Sequence, residues 1–89
     1  MAKAKSVNWY LSELIQAYQM YTAKTCTEMA LDFGVTLSNL YLYRVGRGNP
    51  TAKTVDRIVG EIERQCPAAF EQVKILQWEE REGQGEQTQ

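Results

Sequence analysis

Residues 25–51 constrain the fold more strongly than any other segment of this 89-residue chain. Two short stretches with helical spacing of apolar residues flank Gly34, and the second leads into a segment that breaks a helix, Gly46-Arg47-Gly48-Asn49-Pro50. Glycine ends a helix where the chain must take a left-handed conformation, and the two later glycines with the proline stop the next helix. We therefore expect a helix over about residues 26–33, a tight turn, and a helix over about residues 37–45.

Apolar residues with the spacing of one helical face also occur before and after this segment. They lie at i, i+3, i+4 and i+7 in two sets: Leu11, Leu14, Ile15 and Tyr18, and Val55, Ile58, Val59 and Ile62. Each set predicts an amphipathic helix. Residues with side-chain oxygens stand where the helices would start, so we expect N-caps at Thr25, Thr36 and Thr51, and at Ser6 or Asn8.

The C-terminal region predicts one more helix. Pro67 suits the first turn of a helix, and the apolar pattern continues to about residue 80. The sequence therefore predicts an all-α, compact five-helix domain over residues 8–80. A flexible basic arm is expected over residues 1–7, and a disordered tail is expected over residues 81–89, which are polar and contain glycine.

Composition excludes several classes of function. The chain has no histidine, which removes the commonest general base and the usual hydrolytic triads, so we expect no enzymatic activity. Two cysteines without histidine do not make a typical zinc site, and neither a cofactor nor a small-molecule ligand is expected. No run approaches the roughly 20 apolar residues of a membrane span, and no secretion signal is evident, so we expect a cytoplasmic protein without a membrane partner.

Charge is distributed unevenly along the chain. The net charge is −1, but residues 1–57 contain seven basic and four acidic side chains, a net charge of +3. Residues 58–89 contain three basic and seven acidic side chains, a net charge of −4. Contact with phosphates depends on the local field rather than on the sum, so the first 57 residues suit a polyanionic partner.

Several positions in residues 11–62 together resemble the DNA-binding domains of the lambda repressor, Cro and Xre group. The similarity lies in the helix-turn-helix positions and the exit segment: Ala30, Gly34, Val35, Leu40 and Gly46-Arg47-Gly48-Asn49-Pro50-Thr51. The resemblance implies a lambda repressor-like fold in which the second helix of the helix-turn-helix, expected over about residues 37–45, enters the major groove of double-stranded DNA. It further implies a small transcriptional regulator, a Cro-like repressor that acts as a homodimer on an operator of a phage, plasmid or mobile element in the bacterial cytoplasm.

The resemblance also implies roles for exposed positions around the second motif helix. Its N-terminal end would contact bases through Leu37, Ser38, Asn39 and Tyr41; asparagine suits adenine, and leucine suits a thymine methyl group. The residues expected to contact backbone phosphates are Thr36, Arg44, Arg47, Asn49 and Lys53. The basic arm adds Lys3 and Lys5, which would reach along a groove.

Three positions depart from the family pattern. Cys26 and Leu37 stand where relatives often carry glutamine, and Arg44 stands where they commonly carry glutamate. The first two differences remove polar contacts with DNA, whereas the third adds positive charge. Exposed Leu37, Tyr41 and Leu42, or the C-terminal helix, would also suit a protein partner. The alternative is therefore a protein-binding adaptor on the same scaffold, such as an antirepressor or an antitoxin.

The last helix carries more apolar surface than one face requires, which is typical of a helix that docks a partner or is buried on two sides. A homodimer contact through Phe70, Ile75 and Trp78 is one hypothesis, because operators are two-fold symmetric. The alternative is that this helix closes the core over the first helix, together with Trp9 and Tyr10.

Overall fold

The computed structural model describes residues 7–74, and this part of the chain folds into five helices without a strand. Their bounds are α1 Val7–Thr22, α2 Cys26–Phe33, α3 Leu37–Arg44, α4 Ala52–Gln65 and α5, whose described part is residues 67–74. The prediction of an all-α fold is confirmed. Among these helices, none has both the length and the hydrophobicity that crossing a membrane requires.

Two helix boundaries differ slightly from those expected. Helix α1 begins at Val7, inside the range expected for the basic arm, and α3 ends one residue before Val45. Val45 has φ −101° and ψ 10°, which is no longer helical, and its N–H bonds back to the last turn of α3. The arm residues Lys3 and Lys5 and the tail 81–89 lie outside the described residues.

Threonine hydroxyls start three of the helices, as predicted. Thr25, Thr36 and Thr51 each have an extended backbone and accept a hydrogen bond from the backbone N–H three residues later. At Thr25 the arrangement is reciprocal, since the Glu28 carboxylate accepts the Thr25 N–H at 2.8 Å. Such a cap stabilises a helix by about 1 kcal/mol, which matters most for α2 and α3 because they have only eight residues each.

The turn between α2 and α3 depends on Gly34. Its φ of 68° lies in the left-handed region, and its N–H bonds back to the last turn of α2. The next residue, Val35, donates its N–H to the Ala30 carbonyl oxygen at 3.0 Å. A residue with a Cβ is strained at this φ, which explains why glycine suits this tight turn.

All five helices contribute side chains to one core. The largest fully buried residues are Leu11, Leu14, Ile15, Tyr18, Met29, Phe33, Leu40, Ile58, Ile62 and Val73. The inward faces expected for α1 and α4 are therefore confirmed, with Val55 and Val59 partly buried against the core. The rings of Tyr18 and Phe33 lie 5.3 Å apart between centroids, an ordinary spacing for a tilted aromatic pair.

A polar cluster joins the ends of α1, α2 and α4; we call it the Lys24 cluster, and its members are Tyr18, Lys24, Asp32 and Gln65. The Lys24 ammonium lies 2.6 Å from an Asp32 carboxylate oxygen, and the Tyr18 hydroxyl donates to the same oxygen at 2.8 Å. Lys24 also donates to the Tyr18 hydroxyl at 3.1 Å and to Gln65 Oε1 at 3.3 Å. Partial burial opposes ionisation of Asp32, but the hydrogen bonds from Lys24 and Tyr18 outweigh burial and lower the pKa of this carboxyl.

The described part of α5 packs on the same core. Ala69 and Val73 are buried, and Phe70 is half-buried against the core. The Tyr21 hydroxyl of α1 donates to Gln72 Oε1 at 2.7 Å, which ties α5 to the end of α1. Helix α5 therefore closes the core beside α1.

Of the three residues expected in a homodimer contact, only Phe70 lies in the described part of the chain. Phe70 buries part of its ring within its own chain, whereas Ile75 and Trp78 lie outside the described residues. Tyr10 packs partly buried against the core, as the core-closing alternative expects. A dimer contact through α5 stays a prediction.

Candidate nucleic-acid interface

Helix α3 has one face in the core and the opposite face in solvent. Leu40 and Tyr43 anchor it, with 0% and 7% of their surfaces exposed. The four positions predicted to contact bases are all exposed: Leu37, Ser38, Asn39 and Tyr41. They lie together on the first five residues of one helix, and an α-helix fits the width of the major groove.

Thr36, a predicted phosphate contact, has a structural role as the N-cap of α3. Its hydroxyl oxygen accepts the Asn39 backbone N–H at 3.1 Å. A hydroxyl can accept and donate at the same time. The cap therefore uses a lone pair of Thr36 and still allows its proton to be donated to a phosphate oxygen.

Four polar side chains of α1 hold the end of α3 and the loop after it; we call them the α1 polar row, and they are Asn8, Ser12, Gln16 and Gln19. The buried Ser12 hydroxyl donates to the Arg44 carbonyl oxygen at 2.7 Å. Gln16 Nε2 donates to the same carbonyl oxygen at 2.8 Å and to Ser12 Oγ at 2.9 Å. The last carbonyls of a helix have no partner within it, and α1 supplies one for α3.

Asn8 bonds to the loop that follows α3, residues 46–51, which we call the exit loop, and does not cap a helix. Of the two caps expected for α1, Asn8 is wrong, because α1 begins at Val7 and the Asn8 Nδ2 donates to the Gly48 carbonyl oxygen at 3.2 Å. The other, Ser6, lies outside the described residues. Gly48 has φ 89°, and a Cβ there would lie 3.1 Å from the Tyr43 ring. Glycine thus lets the loop pack closely against α3.

Arg44, another predicted phosphate contact, is half-buried where α3 meets α1. Its Nε donates to Gln19 Oε1 at 2.8 Å. A guanidinium group has five N–H donors, so one bond orients the group without exhausting it. Arg44 therefore belongs to the junction of the two helices as well as to the candidate interface.

The other predicted phosphate contacts are exposed: Arg47, Asn49 and Lys53. The Arg47 backbone N–H donates to the Leu42 carbonyl oxygen at 2.8 Å, which folds the exit loop back onto the end of α3. Every charged side chain in residues 33–55 is basic. The segment that contains α3 and its exit loop therefore contributes only positive charge to its surroundings, as contact with phosphates requires.

Arg57 is a fourth positive charge near α3 that sequence reasoning missed. It is exposed on α4, and its Nη1 lies 3.4 Å from the Gly34 carbonyl oxygen in the turn that leads into α3. In the sequence, residue 57 is only a polar position on an amphipathic helix. Its place beside the turn follows from the packing of α4 against α2, which spacing alone does not indicate.

No protein-family model, curated protein sequence or solved structure matches this chain. Its function is therefore inferred from its own residues and from their arrangement.

Proposed function

We propose that this protein binds double-stranded DNA in a sequence-specific manner and regulates transcription, as the resemblance to the lambda repressor, Cro and Xre group implies. The observation that carries the proposal is the setting of α3. Its inner face is fixed in the core, its outer face is exposed at the N-terminal end, and the charged side chains of residues 33–55 are all basic. A helix presented in this way suits the major groove.

One set of residues would contact the phosphates of the duplex, and another set would contact its bases. Phosphate contacts fix position on the duplex, and base contacts provide sequence preference. The phosphate set is Thr36, Arg44, Arg47, Asn49 and Lys53, and the base set is Leu37, Ser38, Asn39 and Tyr41. The α1 polar row serves both sets, because it fixes the end of α3 relative to the exit loop.

As a regulator, the protein would bind as a homodimer to two half-sites about one helical turn apart. A single small module buries little surface on DNA, so a second copy supplies affinity as well as symmetry. Bound at a promoter, the dimer would exclude polymerase or contact it. An operator of a phage, plasmid or mobile element in the bacterial cytoplasm is the setting that the resemblance suggests.

The second candidate function is a protein-binding adaptor, such as an antirepressor or an antitoxin. The observation in its favour is the exposure of large apolar side chains on α3, namely Leu37, Tyr41, Leu42 and the adjoining Val45. Exposed apolar surface of this kind also occurs at sites that bind proteins. An apolar protein contact depends little on salt, which separates the two proposals.

The test is the affinity for a duplex of mixed sequence across a salt series. Contact with about six phosphates would weaken binding roughly 10³-fold between about 50 and 200 mM salt. Arg47→Gln should reduce the slope of log affinity against log salt, whereas Arg64→Gln, at the exposed C-terminal end of α4, should leave it unchanged. Failure to bind the duplex at low salt, or equal slopes for both variants, would count against the proposal.

A further inference from the structure

The outer face of α3 is apolar for a surface that meets DNA. Leu37, Tyr41 and Leu42 have 37%, 52% and 40% of their surfaces exposed. Ser38 and Asn39 provide the polar side chains of this face, and neither is charged. A face of this composition can still distinguish base pairs, but only by certain chemical groups in the groove.

Guanine is most often recognised by arginine or lysine, which donate two hydrogen bonds to its O6 and N7 atoms. In α3 the only basic residue is Arg44, in the last turn, and its Nε is engaged by Gln19 on α1. The first five residues of α3 contain no such donor. The exposed apolar side chains instead match the thymine 5-methyl group, the apolar feature of an A·T pair in the major groove.

We infer that α3 selects A·T base pairs by burying thymine 5-methyl groups against Leu37 and Tyr41. These two residues are four apart, so they lie on one side of the helix. Asn39, on the same end of α3, bonds to an adenine of the same half-site. The inference rests on the proposed DNA-binding function and specifies its target: half-sites rich in A·T pairs that are recognised through their methyl groups.

Charge is the reason to assign this apolar face to DNA and not to a protein. The segment that contains this face carries Arg44, Arg47 and Lys53, and no acidic side chain occurs in residues 33–55. Arg57 adds positive charge at the turn before α3. Positive charge along the segment that presents this small apolar face complements a groove that has methyl groups on its floor and phosphates on its edges.

The experiment begins with the sequence that the protein enriches from a random duplex pool at moderate salt. Each thymine of one half-site is then replaced in turn by deoxyuridine, which keeps base pairing and removes only the methyl group. We expect one or two replacements to weaken binding roughly fourfold each, the effect of losing the burial of one methyl-sized group. The Leu37→Ala variant should bind the thymine duplex more weakly and lose its sensitivity to deoxyuridine at the position that Leu37 contacts, while a second sensitive position, at Tyr41, is retained.

Leu31→Ala is the matched control, because Leu31 is an exposed leucine on α2, with 78% of its surface accessible. This variant should keep the full sensitivity to deoxyuridine. An enriched site dominated by G·C pairs, or one that tolerates deoxyuridine everywhere, would overturn the inference and leave DNA binding intact. Absence of any enriched sequence would overturn the inference and the sequence-specific function together.

Discussion

The Lys24 cluster and the outer face of α3 both contain polar side chains, but the two regions use them differently. In the cluster, the side chains of Tyr18, Lys24 and Asp32 bond to one another over 2.6–3.1 Å. On α3, Ser38 and Asn39 are exposed to solvent. Polar groups that pair within the chain hold elements together, whereas exposed polar groups on a fixed helix remain available to a partner. The difference predicts that changes in the two regions will have separable effects on stability and on binding.

Removal of the anchor of α3 should have the largest effect. Leu40→Ala would leave a cavity where a fully buried side chain packs, and we expect it to lower the free energy of unfolding by about 2–5 kcal/mol. Leu37→Ala, on the opposite side of the same helix, where 37% of the leucine surface is exposed, should change it by only about 1 kcal/mol. Urea unfolding of both variants measures the difference, and equal losses would show that α3 is not divided into an inner and an outer face.

Asn39→Ala should weaken discrimination between sequences without affecting the fold. The loss of a side chain that contacts adenine through two hydrogen bonds costs about 1–3 kcal/mol of preference for the correct base pair. Titration with the enriched duplex and with a scrambled duplex measures this preference. A variant that keeps the wild-type ratio of the two affinities would remove Asn39 from the base-contacting set.

Arg57→Ala tests the positive charge that the fold brings to the α2–α3 turn. If Arg57 contacts a phosphate, the substitution should weaken binding to all sequences alike and reduce the salt slope by about 1. Arg64→Ala is the control, since Arg64 pairs with Glu61 on the same helix. The same slope in both variants would assign Arg57 to the packing of the turn alone.

Asp32→Asn should have the smallest effect, confined to stability and dependent on pH. The pKa of Asp32 is lowered in the folded protein, so its ion pair stabilises the fold fully when the pH is above 3.8, the ordinary pKa of this carboxyl. This contribution is lost as the pH falls through the folded-state pKa. The pKa of Lys24 is raised, chiefly by its hydrogen bond to Asp32. On the alkaline side the ion pair therefore stabilises the fold fully when the pH is below 10.5, the ordinary pKa of this ammonium group. Urea midpoints of wild type and variant should therefore differ at pH 7 and converge in strong acid.

DNA affinity provides the matching control for Asp32→Asn. At a temperature where the variant is fully folded, its affinity for the enriched duplex should equal that of wild type, because the Lys24 cluster takes no part in the proposed interface. A midpoint difference that persists unchanged in acid would mean that the cluster acts through packing and not through charge.

Local signals were enough to predict the described helices and most of their ends. Thr25, Thr36 and Thr51 cap helices where the sequence places them, and Gly34 has the left-handed backbone that its position indicates. These features depend on neighbours within four residues along the chain, so spacing contains the information. The buried faces were predictable for the same reason, since helical periodicity determines which side chains share a side.

Contacts between distant residues were not predictable in this way. Asn8 suits a helix start by residue type, yet its side chain bonds to Gly48, 40 residues away. Ser12 and Gln16 share a helical side, but periodicity does not indicate that the Arg44 carbonyl oxygen would lie opposite them. The residue types in the candidate interface were visible in the sequence, and the bonds that orient the interface depend on how α1 and α4 pack.

The most direct test of the central claim is to map the proposed DNA-binding surface by amide chemical shifts in a two-dimensional NMR titration with the enriched duplex. We predict that the perturbed amides cluster in residues 36–53 and around Arg57, while those of Lys24, Asp32 and Gln65 remain in place. Perturbations centred away from α3 would contradict the proposed interface, and an unchanged spectrum at low salt would contradict DNA binding itself.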